Sequence, residues 1–543
     1  MGPAQSSVAH APVPHAAVGG IVPPLEADLL VVGGGINGAG IARDAAGRGL
    51  RVVLCEQGDL AQGTSSRSSR LIHGGLRYLE YGEWRLVREA LQEREILLAA
   101  APHLVRPLCF VLPHVQGMRP AWMLRLGLFL YDHLARRRRL PASRAIALDQ
   151  APEGAAVRPH LRRAFVYADC RTDDARLVVL NAVGAAERGA RVLLHTEFVD
   201  AIPEAGAWRA RLRAARTGAT STLRVRAIVN AAGPWVEAVA PRIGGVARQR
   251  HARLVKGSHL VVRRFWQGEH AFLLQNTDRR VVFVTPYEDD FAMIGTTDIP
   301  YASDPGCVRI GEQEARYLCD AVNRQLRCTL TPADAVYTFS GVRCLVDDAR
   351  DNPSAVTRDY VLELAAGAGH GPVLTVLGGK ITTYRRLAEH AVDLLAPHLP
   401  ASGPRWTAAV PLPGGDLAGE DVGVAQQRFL AAAHFLPSAH ARALFDRHGR
   451  IATAIVGDVA GLSDMGIHFG AGLYERELRY LVDREWAASV EDVLWRRTKL
   501  GLRLDAAQVE RLREWLAGRD PTVAQTPASH PAPLAGAPDA TKA

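Results

Sequence analysis

The stretch LIHGGLRYLEYG, residues 71–82, sets an imidazole, two adjacent glycines, an arginine and two tyrosines within twelve positions. His73 can serve as a general base, and Arg77 as a forked donor to an anion. Gly74 and Gly75 have no Cβ, so a flat or bulky group can lie against the main chain there. A plain turn with an ordinary histidine and a surface arginine accounts for this stretch equally well, and the decision rests on the rest of the chain.

The elements that would position such a site begin at residue 28. The run DLLVVGGGINGAGIARDAAGRGLRVVLCE, residues 28–56, reads as strand, glycine turn, helix and strand. Gly33 permits the tight turn, Gly35 the close approach of a pyrophosphate, and Gly38 the packing of helix on strand. The helix start offers amide N–H groups and a positive dipole end. Glu56, eighteen residues past Gly38, is placed for ribose hydroxyls. This is a complete dinucleotide unit. Two later stretches bear on which dinucleotide. RAIVNAAGPW, residues 226–235, runs a strand into a small-residue turn at Ala232 and Gly233, and VLTVLGGKITTYR, residues 373–385, repeats strand, glycines and helix at Gly378 and Gly379. Two glycine-led helix starts so far apart suit an extended flavin dinucleotide, one at the pyrophosphate and one near the ring.

At 543 residues the chain exceeds one hydrophobic core, and with 48% hydrophobic and 22% charged residues it reads as globular. Seven scattered cysteines without a CxxC pair argue against a disulfide framework or a zinc site and fit a reducing cytoplasm; no metal is expected. Residues 1–25 read as a loose tail without the pattern of a secretory signal, and 520–543 as a second tail. The region 26–404 is expected to interleave cofactor-binding segments with a β-rich substrate layer lying mainly at 256–342, where alternating strands and a hairpin around Pro286 to Asp290 are read. A helical domain is expected over 405–519, with capping-box starts at Ser489 and at Asp505 with Gln508. No apolar run is long enough to span a bilayer, so any membrane contact would be peripheral. The helix predicted over 122–134, followed by four arginines at 136–139, could lie in a lipid interface or pack in the core. The net charge of +9 attracts polyanions, anionic lipid or phosphorylated substrates alike.

Taken in order, GGGINGAGIARDAAGRGL, TSSRSSRLIHGGLRYLE, YADCRTDDARLV, NAAGPWV, LVKGSHLVV, IGTTD, FSGVRCLVDD, TRDY, GGKITTYR and YLVDREWA resemble the FAD-dependent glycerol-3-phosphate dehydrogenases of the aerobic, membrane-associated bacterial type. The resemblance runs from about residue 27 to about 517. It implies an α/β fold with a Rossmann-type, D-amino-acid-oxidase-like FAD-binding domain, a β-rich substrate domain and a helical C-terminal cap. It implies substrate-anion binding by Arg77, Arg343 and Arg358, with Lys380 and Thr296 beside them and His259 in the site. FAD contacts are implied for Gly33, Gly35, Asn37, Gly38, Glu56, Thr64, Ser65, Ser66, His73, Gly74, Gly75, Ala232, Gly233, Gly378, Gly379, Lys380 and Thr382. Arg70 stands where the family commonly has lysine, a change that keeps the charge.

The implied reaction oxidises glycerol 3-phosphate to dihydroxyacetone phosphate. The C2 hydride goes to the flavin and the hydroxyl proton to a base, with His73 the first choice and His259 the second. Arginine forks suit the phosphate dianion, Arg343 can stabilise a developing alkoxide, and Lys380 the negative charge of the reduced ring. The resemblance further implies ubiquinone or menaquinone as acceptor, peripheral attachment to the inner face of the cytoplasmic membrane, and a homodimer. An oxygen-using glycerol-3-phosphate oxidase shares most of these motifs. A tRNA-modifying flavoprotein is a more distant alternative, since no RNA-binding motif is present and no nucleic-acid partner is expected. A nicotinamide dehydrogenase is disfavoured by the second glycine-led helix start.

Overall fold

The structure, a computed structural model, describes residues 25–246, 250–278, 280–347, 359–367 and 369–519. Residues 1–24 and 520–543, which hold nearly all of both expected tails, lie outside them, and so does Arg358.

The apolar run ending at Val32 forms the strand Leu25–Val32 at the centre of the first sheet, parallel to Val52–Cys55 on one side and to Thr220–Asn230 on the other. His370–Leu377 continues the parallel order beside Thr220–Asn230. Val52–Cys55 and His370–Leu377 are buried almost throughout, and Thr220–Asn230 is fully buried from Ala227 to its end, as a sheet covered on both faces requires there. The helices Ile36–Gly47, Asp174–Ala186 and Tyr384–Leu395 contribute to the core on one face, through Ala39, Ala42, Val178, Leu387 and Ala391. The strands Thr196–Glu204 and Ala207–Ala214 pack Phe198, Trp208 and Leu212 into the core on the other. The carboxyl ends of the parallel strands and the glycine turns that follow them therefore come together at one edge, where α/β sheets bind ligands.

The second sheet has ten strands in the order Ile299–Pro300, Ala252–Arg263, Phe291–Gly295, Val281–Tyr287, Ala271–Gln275, Arg106–Pro113, Arg163–Arg171, Leu71–Ile72, with Ala335–Val346 paired to Ala252–Arg263 and Arg144–Ala147 to Arg163–Arg171. The expected hairpin is present, with Tyr287 opposite Phe291. The sheet is broader than the expected 256–342, because four of its strands come from residues 71–171. Those runs are short or buried on both faces and lack the alternation by which a strand is read from sequence.

Beyond residue 404 the chain is mainly helical, with Val422–Ala432, Ser438–His448, Glu475–Glu485 and Ala506–Arg519 packed on one another and on the first domain. Both capping boxes form. The Ser489 amide donates to Asp492 at 2.9 Å and the Asp492 amide to Ser489 Oγ at 3.2 Å. Gln508 and Asp505 exchange the same pair of bonds at 2.8 and 3.1 Å. The segment after Ser489 winds as a π-helix, Asp492–Thr498, where an ordinary helix is expected. Arg496 and Arg497 on that wide turn both reach Asp59 of the first domain.

Candidate active site

Gly33 takes φ +112°, and a Cβ there would stand 2.6 Å from the Ala231 carbonyl oxygen. The first strand can therefore turn into its helix only through glycine at this point. Gly38 has no room for a side chain either, since a Cβ would lie 1.9 Å from the Gly33 oxygen, and this lets the helix start close against the strand. No side chain of Gly35 caps that helix, and the Ile36 amide donates to Ser65 Oγ at 3.0 Å. Glu56 accepts from the amides of Gly34 and Gly58 at 2.7 and 2.9 Å. Burial raises its carboxyl above the ordinary range, and those two amides oppose the rise.

A cavity of about 870 Å³ runs over this edge. Thr196, Phe198, Trp235 and Arg242 line it together with Glu56; Gly33, Gly35, Asn37, Thr64 and Ser65 form its wall at the glycine turn; Gly378, Gly379, Lys380 and Thr382 enter from the second glycine turn. The second sheet roofs it with Phe283, Thr296, His259 and Arg343.

The roof owes its chemistry to strand register. His259 pairs with Gly295, where a Cβ would lie 2.0 Å from the imidazole Cδ2, so glycine is what admits the ring. The ring stacks on Phe339 at 4.7 Å and meets Ser69 Oγ through Nε2 at 3.0 Å. Burial, then the charges of Arg343 and Arg70, push His259 down to about 3, so it is neutral at physiological pH and a weak base. Arg343 pairs with Asp298 and donates to Thr296 Oγ1 at 3.2 Å, and a Cβ on Gly257 would meet both Thr296 Oγ1 and Arg343. His73 turns its ring edge-on to Phe283 at 6.1 Å, and its amide donates to Thr382 Oγ1 at 3.2 Å, which ties the stretch 71–82 to the second glycine turn. Lys380 holds its ammonium 3.8 Å from the Tyr78 ring.

The cavity thus gathers Arg77, Arg343, Lys380, His73, His259 and Thr296, along with Gly75, Ala232 and Gly233. Three of the expected residues, Gly38, Ser66 and Gly74, are not among those lining the cavity. Gly38 lies behind the wall, packed on Gly33 as described. Ser66 is turned toward the Gly63 carbonyl oxygen, at 3.5 Å. Gly74 faces helix Ala121–His133: its amide donates to the Tyr131 hydroxyl at 2.7 Å, and a Cβ would meet Leu91 and Tyr131 within 2.8 Å. The paired glycines therefore serve two neighbours. Gly75 is at the cavity with φ +77°, while the missing side chain of Gly74 leaves space for a phenol. Sequence reasoning passed over the lining residues Thr196, Phe198, Trp235 and Arg242. Trp235 closes the NAAGPW stretch and was within reach of that reading; the others carry no local signal.

The family model for FAD dependent oxidoreductases matches residues 28–385, and that for the C-terminal domain of alpha-glycerophosphate oxidase matches 405–517. The chain belongs to the FAD-dependent oxidoreductases. Among relatives of this flavoenzyme, a D-erythritol 1-phosphate dehydrogenase of Brucella abortus is 52% identical over 91% of this chain and 98% of its own. A glycerol-3-phosphate dehydrogenase of Pseudomonas aeruginosa is 51% identical over 91% of this chain and 96% of its own. The solved glycerol-3-phosphate dehydrogenase of Bacillus halodurans, complexed with FAD, superposes with a TM-score of 0.71 at 27% identity, covering 91% of this chain and 90% of that one. The cofactor of this flavoenzyme is FAD, and the cavity suits it: two glycine-led turns where a Cβ would collide, an acidic group at the end of the second strand, and a volume within the range of ligand sites.

Proposed function

We propose that this flavoenzyme oxidises sn-glycerol 3-phosphate to dihydroxyacetone phosphate and passes the electrons to a membrane quinone. The observation that carries this reading is the convergence of Arg77, Arg343 and Lys380 with two imidazoles on the wall of one cavity shared with the glycine turns. A phosphate dianion calls for several cations, and the arginine fork matches its oxygens. When bound, FAD supplies a ring that accepts a hydride from the substrate's C2. His73 takes the C2 hydroxyl proton, a role for which deeply buried His259, whose proton affinity is lowered by burial and by Arg343 and Arg70, is less suited; His259 orients the hydroxyl. Arg343 steadies the developing alkoxide, with its direction fixed by Asp298. Lys380 and the amides of the second glycine turn balance negative charge on the reduced ring. Gly33, Gly35, Asn37, Thr64 and Ser65 hold the pyrophosphate, and Glu56 the ribose. Arg358 remains a candidate phosphate ligand from outside the described residues.

Anaerobic addition of glycerol 3-phosphate should bleach the oxidised flavin bands; an unchanged spectrum would overturn the reading. The Brucella relative favours one further substrate, a four-carbon polyol phosphate, which offers the same phosphate and a secondary hydroxyl. Flavin reduction by the two substrates side by side ranks them by kcat/KM. Reoxidation of the reduced enzyme by oxygen but not by quinone would make the chain an oxidase.

We further propose that helix Ala121–His133 rests on the inner surface of the cytoplasmic membrane. Among the described residues no helix is long and apolar enough to cross a membrane. This helix buries Leu124, Leu128 and Tyr131 and leaves Trp122, Leu126 and Phe129 exposed, and Arg136, Arg138 and Arg139 at its basic end are also exposed. Apolar insertion beside cations suits anionic lipid. Trp122→Glu should move the protein from sedimented anionic vesicles to the supernatant, and undiminished sedimentation would reject the contact. A homodimer, the assembly implied by the resemblance, is checked by light scattering.

A further inference from the structure

We infer that Glu314, a buried carboxylate outside the cavity, is the positioning residue for the cavity roof: through the hydroxyls of Ser258 and Thr297 it sets where His259 and Thr296 stand. The inference rests on the reaction proposed above and adds a residue to it.

Helix Glu312–Gln325 packs behind the roof strands, where Ala315, Leu318 and Val322 share a core with Leu260, Val284 and Ile294. Neighbouring residues of a strand face opposite sides, so Ser258 lies behind the sheet where His259 looks into the cavity, and Ser340 lies behind where Gly341 does. Ser258, Thr297 and Ser340 are all buried, and none is among the residues lining the cavity. The ladder between Ala252–Arg263 and Phe291–Gly295 ends at the pair His259 and Gly295. One residue beyond it, the Ser258 amide donates to Thr297 Oγ1 at 3.0 Å. Thr297 Oγ1 and Ser258 Oγ then both donate to Glu314 Oε1, each at 2.8 Å. A single carboxylate oxygen therefore ties the strand that bears His259 to the segment that bears Thr296.

The carboxylate also fixes the direction of every bond in the set. A hydroxyl has one proton, and an ionised carboxylate only accepts. Thr297 Oγ1 is thereby left as the acceptor for the Ser258 amide, and Ser258 Oγ as the acceptor for Ser340 Oγ at 2.9 Å, on the strand that carries Arg343. The second oxygen of Glu314 is used elsewhere: Oε2 accepts from the Gly311 amide at 2.9 Å, capping the helix, and pairs with Lys256. Burial alone would raise the Glu314 carboxyl, but Lys256, the Gly311 amide and the two hydroxyls hold it below its ordinary value, so it stays ionised. Apolar side chains would bind these strands together as well, whereas a fully satisfied polar set also selects one arrangement of them. On the cavity side that arrangement places His259 and Thr296, and Arg343 donates to Thr296 Oγ1 at 3.2 Å. Groups that act on a substrate need such support from behind to hold their geometry.

The test uses the holoenzyme and two readouts. Thr297→Val keeps the size of the side chain and the helix cap but removes the hydroxyl, and Glu314→Gln weakens the acceptor. In anaerobic stopped flow over a range of glycerol 3-phosphate, either should lower the limiting rate of flavin bleaching about tenfold and leave the half-saturating concentration within about twofold. The split is expected because Arg77 and Lys380, which reach the cavity from other elements, still bind the phosphate. Thr297→Ser should restore most of the rate, and the double variant should lose no more than the worse single one. Without any substrate, Thr297→Val should speed hydrogen exchange at the Ser258 amide at least about tenfold and leave helix Glu312–Gln325 unchanged. If Glu314→Gln does not fold, the two Thr297 variants decide. Wild-type rates in Thr297→Val, a loss confined to half-saturation, no rescue by serine, or unchanged exchange at Ser258 would each overturn the inference. Wild-type enzyme that glycerol 3-phosphate does not bleach is a different failure, that of the substrate reading, and the exchange measurement then decides on the tie by itself.

Discussion

Arg176 and Arg343 carry the same guanidinium in opposite settings. Arg176 lies wholly buried where the C-terminal helices meet the first domain. It donates to Glu485 at 2.8 Å, and the charged set continues through His448 to Glu477 and Arg447. Arg343 is a quarter exposed at the cavity roof, held on one side by Asp298 and Thr296. The first arginine has its charge matched within the protein and serves to join two domains. The second is aimed by its partners and lies at the cavity wall, with a quarter of its side chain exposed. Pairing therefore does not by itself tell structure from chemistry; what matters is whether a face of the group stays open to the cavity.

The comparison breaks most severely at Glu485. Glu485→Gln leaves the Arg176 charge buried without its counter-ion, and the expected cost is about 3–5 kcal/mol in denaturant unfolding, with flavin bleaching per folded molecule retained. Arg343→Met should do the reverse. Losing a charge-assisted bond of about 1.5–3 kcal/mol lowers kcat/KM for glycerol 3-phosphate by about 10- to 100-fold, while the unfolding midpoint barely moves. Equal losses of stability in the two variants would erase the distinction.

Acid sharpens it. Burial alone would raise the Glu477 carboxyl, but Arg447 and His448 hold it at about 2, below its ordinary 4.5. A lowered folded value means that the ionised group favours the fold. Its contribution is complete above 4.5 and is lost as pH falls from there toward 2. His103, buried at the same junction, is pushed to about 3 by burial and then by Arg176, His448 and Arg106, so the unfolded chain takes up a proton below 6.5 that the folded one refuses. Stability should therefore decline on acidification in two stages, and Glu477→Gln should flatten the lower one. An identical slope in that variant would remove Glu477 from the account. At the small end, the exposed pair Arg316 and Glu312 on helix Glu312–Gln325 should be worth no more than about 0.5 kcal/mol in a double-mutant cycle.

The dinucleotide unit, the hairpin and both capping boxes were legible because each is a local rule: a glycine where φ is positive or a Cβ collides, an alternation, a reciprocal pair three residues apart. The FAD fold and the gathering of Arg77, Arg343, Lys380, His73 and His259 came with the resemblance, and the shared cavity wall agrees with them. Other features depend on register between distant strands and could not be read locally. Gly295 admits His259 only because the two strands pair at that residue, and Phe198 reaches the cavity through a strand order invisible in the chain. The charged junction joins residues up to hundreds of positions apart, and nothing in TDDAR or YLVDRE distinguishes those ions from catalytic ones. That Gly74 packs on a helix and does not line the cavity could not be read locally for the same reason, since its neighbour is a tyrosine 57 residues away.

That tyrosine has a consequence for inheritance. The hydroxyl that receives the Gly74 amide is bonded in turn to Asp169, which Arg94 neutralises, so four positions on separate elements share one small space. No single substitution at 74 can be absorbed unless 131 or 91 shrinks in the same lineage. Sequence drift beside His73 should therefore proceed in matched sets, and a lone change at any of these sites identifies a protein in which the neighbourhood has been rebuilt.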